Sequence, residues 1–563
     1  MIYAKNILKA SNFLFFLLTS FCVSNNIQAQ PKGVLAVAKS IFTLTTFKAD
    51  GSILESSHGV FIDKNGTAIT PWKPFVGAAR ATLIDARGKQ YEVDYLLGAD
   101  ELYNVAKIHI NGTTNAAVIA KDAATPTTEA WLIPYSISKP TCKSIKITET
   151  EKFSNQYSFY NLEAETSDTE AGCPIVNTRG EVLGLLEISP TTYKRHATDA
   201  SYACHLTLNS LSISDPLFSQ TSIRTALPEK ENEAQVTLLF AKERCDDTTL
   251  GKYADDFIKR FPHALDGYVT KAEIAIDNRK FDSAAKEMEL AINNVEQKDE
   301  AHYHYARLIY QKETLMSDTL YSPWNLDKAL HEATVAYDIH PQPLFRHLQA
   351  KILYAKGEYQ EAYRVFEELT KTSLRGGEVF FEMSQCKQQQ GAAPADILML
   401  LDSAVNACQR PFNQTAAIYI LARGQQLDNM GEYRKALRDY NTYDTLMYRR
   451  AHHSFYYTRF KCESHARLFQ QALDDIAYAI ILNPTEPTYY AEMASLELRV
   501  RKFPEAIRTA KRCTEIAPEY ADGYLLLGIA QGENKEKKEA IKNLNRAKEL
   551  GDSRAEEYLK KYK

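Results

Sequence analysis

Two patterns of apolar and polar positions divide the chain. Across residues 33–215, apolar residues alternate with polar ones or run together with β-branched content, as in Val34–Phe47, Gly59–Ile62, Ala81–Ile84, Tyr91–Leu97 and Val105–Ile110. Turn signals such as Asp63-Lys64-Asn65-Gly66 and Ala86-Arg87-Gly88 separate these runs, and the whole predicts an all-β domain. From about Glu233 the strand signals stop, and amphipathic helical segments rich in Ala, Leu, Tyr and Glu fill residues 233–563. Residues 216–232, with Pro216 and Pro228, predict a linker between the two. A third pattern occupies residues 1–29. Lys5 and Lys9 precede an apolar core in Asn12–Val23, and Ile27-Gln28-Ala29 offers a cleavage site, which together predict a secretory signal peptide. The expected location is the periplasm of a Gram-negative envelope. Cys22 offers a lipoprotein alternative, against which Phe21 is a poor residue before a lipidated cysteine. No later run approaches the roughly 18 apolar residues that a membrane span needs.

The helical half repeats itself. Ala472, Ala506 and Ala540 stand 34 residues apart, each near the start of a second helix. Ala479, Cys513 and Ala547 follow them by seven residues, and Phe460, Ala494 and Gly528 precede them by twelve. This period and its small-residue positions resemble the tetratricopeptide repeat. Ala436, Ala362, Ala329 and Ala284 hold the same phase in looser units. The interval from Ala362 to Ala436 leaves room for one irregular unit across Glu378–Cys408. Lys312–Trp324 reads as an inserted loop, Lys242–Pro262 as an incomplete unit, and Ser553–Lys563 as a polar capping helix. Seven or eight repeats are expected. Small residues let paired helices approach closely, and stacked pairs wind into a superhelix with a concave face. The resemblance therefore implies protein or peptide partners for this arm, with Tyr456, Tyr457 and Arg459 as a candidate peptide-binding groove. The carboxylate clamp known in the family is not expected, because its positions carry Leu421, Tyr457, Ala491 and Leu525.

In the β half, Thr169–Leu186 reads TEAGCPIVNTRGEVLGLL. It resembles the nucleophile segment of trypsin-like serine proteases of the HtrA/Deg type, with Pro174, Val176, Asn177, Gly180, Glu181, Val182 and Gly184 in register. The resemblance implies a trypsin-like double β-barrel over residues 33–215. It also puts Ala171 at the position of the catalytic serine, Lys73 at that of the histidine and Asn104 at that of the aspartate. A methyl group cannot attack a carbonyl, an ammonium has no lone pair to accept a proton, and a neutral amide cannot stabilise an imidazolium. Thr169 replaces the glycine that aims a backbone N–H into the oxyanion hole, and Cys173 replaces a second glycine. Cys173 is a candidate cryptic nucleophile, but His58, His109, His196 and His205 match no motif position. Ser167 would need a four-residue slip of the alignment, and Asp168 and Glu170 read as charged loop residues.

Composition narrows the function further. A formal net charge of −4 carries no basic footprint, which argues against nucleic acid as the partner. Eight cysteines remain once Cys22 is removed with the signal, with no CxxC pair and no metal-ligand spacing. Cys173 and Cys204 are the pair worth checking for a disulfide. No cofactor or metal site is expected. The sequence reading is thus a non-catalytic exported scaffold or adaptor. An active serine endopeptidase with a substrate-recruiting arm is the alternative.

Overall fold

The computed structural model describes residues 32–154, 156–189 and 194–562. The signal-peptide reading of residues 1–29, with Cys22, lies outside them. Two compact units divide the chain, one reaching to Glu296 and one from Gln297 onward.

The first unit begins with two closed antiparallel barrels of six strands each. Barrel one holds β1 (Ile41–Phe47), β2 (Ile53–Phe61), β3 (Thr67–Thr70), β4 (Arg80–Asp85), β5 (Gln90–Asp100) and β6 (Val105–Ile110). Barrel two holds β7 (Glu129–Leu132), β8 (Lys143–Phe153), β9 (Tyr157–Glu163), β10 (Pro174–Val176), β11 (Val182–Ile188) and β12 (Arg195–Asp199). The neighbour order is β1-β2-β3-β6-β5-β4 in one and β7-β8-β9-β12-β11-β10 in the other, so one topology is used twice. This is the trypsin-like double barrel. Closure leaves no sheet edge unpaired. The turns follow their residues. Asp63 Oδ1 accepts from the N–H groups of Asn65 and Thr67 at 2.8 and 2.9 Å, and Gly66 takes the positive φ that closes the β2–β3 hairpin.

One expected strand is shorter than the sequence suggested. Val34–Phe47 opens as a helix, Lys32–Ala36, and a 3₁₀ turn, Val37–Ser40, before β1 starts at Ile41. A short apolar run fits either structure, and packing decides. Val34, Val37 and Ala38 are buried with Val60 and Val105 of barrel one and Trp131, Val176 and Val182 of barrel two, so the helix plugs the seam between barrels. Separate clusters fill each barrel, with Phe42, Phe61 and Phe75 in the first and Ile147, Tyr160 and Leu186 in the second. Each buried phenylalanine contributes about 1.5–3 kcal/mol relative to exposure.

Residues 216–232 are laid along barrel one. The Leu96 N–H donates to the Arg224 carbonyl at 2.9 Å, and the Ala226 N–H donates to the Leu96 carbonyl at 2.8 Å. The buried Arg224 guanidinium ion-pairs with Asp94 of β5 at 2.9 Å and with Asp256 of helix Asp247–Arg260 at 2.6 Å. The first helices of the all-α region are thereby fixed to the barrel within one unit.

That region consists of nine successive helix pairs, from Glu231–Arg244 with Asp247–Arg260 to Ala521–Glu533 with Lys537–Glu549, and a last helix, Ala555–Tyr562. It is consistent with tetratricopeptide-like repeats. Ala284, Ala329, Ala362, Ala436, Ala472, Ala506 and Ala540 are each the fourth residue of a second helix, and all are 0% exposed. Three expectations change. The residues around Lys242–Pro262 belong to a full helix pair rather than an incomplete one, and among the described residues the pairs number nine rather than seven or eight. The irregular unit expected across Glu378–Cys408 is present as Gly377–Gln389 with Pro394–Asn406, with Ile397 at the position where seven other units carry alanine and the first carries Leu250. Isoleucine at that position is what makes the unit irregular in a repeat marked by its small residues. The inserted loop is shorter than expected, because helix Lys298–Leu315 takes in Lys312–Leu315; Trp324 ends the loop buried, its indole N–H donating to the Tyr305 hydroxyl at 3.2 Å. Among the described residues, no helix is long and apolar enough to cross a membrane.

Candidate functional site

The loop before β10 is built from its own side chains. Ser167 caps a 3₁₀ turn, Asp168–Glu170, in a reciprocal capping box. The Thr169 N–H donates to Ser167 Oγ at 3.1 Å, and the Ser167 N–H donates to Glu170 Oε2 at 2.9 Å. The other Glu170 oxygen pairs with Lys143 Nζ at 2.6 Å. The turn also spends the next amide, since the Ala171 N–H donates to the Asp168 carbonyl at 3.3 Å. Thr169 and Ala171 thus both direct their N–H groups into the loop itself.

Barrel one grips this loop from β2. The Ala171 carbonyl accepts from the His58 N–H at 3.1 Å and from Ser57 Oγ at 3.2 Å. His58 Nε2 lies 2.9 Å from the Thr169 carbonyl, and its Nδ1 lies 3.2 Å from Thr43 Oγ1. A neutral ring with its proton on Nε2 satisfies both contacts. Burial holds the His58 pKa below its ordinary value, against the pull of the Thr169 carbonyl, and Tyr135 stacks on the ring at 5.5 Å. Gly172 passes so close that a Cβ there would meet the His58 carbonyl at 2.3 Å. The sequence marked His58 only as a histidine without a matching motif. Its fold-level role is to hold the Thr169 carbonyl.

The structure also brings Lys73 and Asn104 together. The Lys73 N–H donates to Asn104 Oδ1 at 2.8 Å, and the Trp72 N–H donates to the Asn104 carbonyl at 3.2 Å. Asn104 takes φ +46°, a conformation asparagine tolerates. The Lys73 ammonium reaches 3.8 Å from Glu55, with the side chain 68% exposed. Ala171 joins this pair indirectly, because Thr70 Oγ1 donates to the His58 carbonyl at 2.9 Å. Next to Asn104, Tyr103 stacks on Phe153 at 4.0 Å, and both pack against Tyr202, whose hydroxyl donates to Asp100. These aromatics bridge the two barrels beside Asn104.

Cys173 is 0% exposed in the core of barrel two, and burial pushes its thiol up to about 12. The four histidines of the barrel region are engaged elsewhere: His58 as above, His109 stacked on Tyr95, His196 with Glu187 at 2.6 Å and His205 with the Tyr157 hydroxyl at 3.2 Å. Cys173 and Cys204 are both free thiols in different clusters. Iodoacetamide at pH 8 is expected to leave Cys173 unmodified in the native protein and to alkylate it in urea, as read by peptide mass spectrometry.

On helix His453–His465 the three candidate groove residues part company. Tyr456 is 2% exposed and donates its hydroxyl to Asp444 Oδ1 at 2.9 Å. Arg459 grips Asp475 with two hydrogen bonds of 2.6 and 2.8 Å and reaches Asp444 at 3.1 Å. Both line a cavity of about 540 Å³ that also holds Asn441, Arg449 and Tyr478. Tyr457 faces the other way, against Tyr489 at 4.9 Å, with its hydroxyl 3.4 Å from Glu492.

No protein-family model matches the chain, and no curated protein matches it. Among solved structures, a protease of M. tuberculosis in its active form is similar at 16% identity and TM-score 0.28, over 31% of this chain and 82% of that one. A serine endoprotease of Yersinia pestis is similar at 20% identity and TM-score 0.27, over 33% of this chain. The likeness spans 65% of the Yersinia chain, just under two thirds of its length.

Proposed function

We propose that this is a non-catalytic exported protein in which a pseudoprotease domain is joined to a helical-repeat arm, and that the arm binds protein partners as a scaffold or adaptor. The observation that carries the reading is the state of the Thr169–Ala171 loop. With Ala171 at the serine position there is no nucleophile, and the two N–H groups that would face an oxyanion donate to Ser167 Oγ and the Asp168 carbonyl. Lys73 and Asn104, at the other two triad positions, are tied to each other through a backbone N–H rather than arranged as base and orienter. Removing even one member of such a triad costs orders of magnitude in rate.

Purified protein is expected to leave casein intact and to take no label from a fluorophosphonate, which marks activated serines only. The Ala171→Ser variant should behave the same. Adding Lys73→His and Asn104→Asp restores the triad groups but not the oxyanion donors, each worth about 2.7–4 kcal/mol of transition-state stabilisation. The triple variant should therefore show at most trace turnover. Casein cleavage by the wild type, abolished by Lys73→Ala, would instead establish the active endopeptidase. For the arm, in-cell crosslinking should capture proteins through the helical region, since stacked repeats offer surfaces of the size stable interfaces need. A captured set unchanged on deletion of residues 297–563 would remove the arm from the proposal.

A further inference from the structure

The helical region contains several paired histidines and carboxylates, and one pair differs from the rest. His302 meets Glu332 at 2.6 Å, His340 meets Asp299 at 3.1 Å, and His347 meets Glu382 at 2.6 Å. Among the described residues, only the last has a third donor in range. Glu378 joins His347 and Glu382 with one ligand atom from each, all within 4.8 Å of one another.

The backbone explains the convergence. Glu378 and Glu382 lie four residues apart on helix Gly377–Gln389, so their side chains leave the same face one turn apart. His347 comes from the preceding helix pair, on Pro343–Ala355. The side chains of His347 and Glu382 are largely buried, at 12% and 13% exposure, while Glu378 lies at the exposed end. His347 and Glu378 also line a cavity of about 310 Å³, which leaves room for water or another ligand beside the three donors.

We infer that His347, Glu378 and Glu382 form a binding site for a divalent transition metal, with Zn²⁺ the ion this donor set suits. One imidazole nitrogen and two carboxylates supply borderline and hard ligands together and two negative charges, which match a dication. Three protein ligands leave at least one coordination position open toward the cavity. In the metal-free protein a proton occupies the 2.6 Å contact between His347 Nε2 and Glu382. The metal takes the place of that proton at Nε2, and a neutral ring then carries its proton on Nδ1 instead. Arg307 and Lys351 line the same cavity. They oppose the ion's charge on their own, and they favour an anionic group, such as a carboxylate, in the open position. The sequence carried one trace of the site, the Glu378–Glu382 spacing, but His347 lies 31 residues earlier in a different helix pair.

The test uses the full-length mature protein without a histidine tag, stripped with chelator and dialysed against Zn²⁺ alone. Wild type is expected to retain one Zn²⁺ per chain, to melt at a higher temperature with Zn²⁺ than without, and to give a Co²⁺ absorption spectrum of low-symmetry nitrogen and oxygen ligation without thiolate charge transfer. Glu378→Gln changes an exposed side chain and should fold normally, yet weaken Zn²⁺ binding at least about tenfold and abolish the melting shift. His347→Ala should lose binding altogether. Retention of stoichiometric Zn²⁺ by both variants would place the ion elsewhere and overturn the site, and so would failure of the wild type to bind.

Discussion

Arg459→Ala is expected to cost about 3–5 kcal/mol of stability in the helical region, the loss typical of removing one partner from a buried ion-pair network. Arg459 sits between the second helices of two units. It pairs with Asp475 at 2.6 Å and Asp444 at 3.1 Å, and these side chains are only 11–12% exposed. Glu463, one turn further along the same helix, is buried with Oε2 lacking a hydrogen-bond partner. Burial, reinforced by Asp475, pushes the Glu463 carboxyl up to about 8 despite Arg459 nearby. Without the guanidinium, Asp444 and Asp475 lose its hydrogen bonds and share the site with Glu463, with Arg449, exposed at the cavity, as the remaining cation. The loss should therefore be smaller near pH 5, where the carboxyls can take up protons. The wild type carries a weaker form of the same dependence. Glu463 holds a proton when folded and releases it when unfolded between its ordinary value of 4.5 and about 8, so its effect lowers stability as pH rises through that window. Glu463→Gln should flatten that slope and stabilise the protein at pH 9. Urea midpoints at pH 5, 7 and 9 check both substitutions. Tyr457→Phe, which removes only a 3.4 Å contact to Glu492, is the matched control and should stay within about 0.5 kcal/mol of wild type.

The same network shows what the sequence could and could not reveal. The repeat was legible because close helix approach favours a small residue at the fourth position of the second helix, and seven of the nine pairs meet that demand with alanine. Ion pairs recur as well. Arg423 with Asp439 and Lys271 with Glu287 repeat the spacing of Arg459 with Asp475, sixteen residues apart. Such pairs vary in residue type and drop out in some units, so a phase traced by small residues passes over them. Arg459 consequently read as surface available to a peptide, when most of its donors are spent on Asp475 and Asp444.

In the barrels, strands with clean turns were legible, because Asp63 and Gly66 encode their hairpin locally. The opening run was not. Nothing in Val34–Ala38 distinguishes a strand from a short helix until both barrels supply the walls of the seam. At the candidate site, Lys73, Asn104 and Ala171 could be singled out from the sequence alone, through the resemblance of the segments that carry them. The spent N–H groups could not, since they depend on Ser167 acting as a cap. In the sequence Ser167 reads only as a nucleophile displaced by four residues, not as a cap. The hold of His58 on Thr169 was hidden for a similar reason, as it joins residues 111 positions apart through a carbonyl that any residue carries.

Gly172→Ala should cost at least about 3 kcal/mol of stability in the barrel region. Two terms add. Gly172 has φ +82°, and an L-residue pays about 1–2 kcal/mol in that left-handed region. The new Cβ would also lie 2.3 Å from the His58 carbonyl oxygen and 2.8 Å from Ser57 Oγ. The serine hydroxyl can rotate away. The carbonyl cannot, because it accepts from Thr70 while the His58 N–H is held by the Ala171 carbonyl. Relief requires the Ala171 loop to separate from β2, breaking the contacts that join it to barrel one. Gly88→Ala isolates the first term, since Gly88 has φ +80° but nothing within 4 Å of an added Cβ. The Gly88 variant should lose about 1–2 kcal/mol, and the Gly172 variant clearly more, as urea midpoints of the barrel transition read by tryptophan fluorescence. Equal losses in the two variants would mean that the loop yields freely, and that the grip of His58 and Ser57 on Ala171 contributes little.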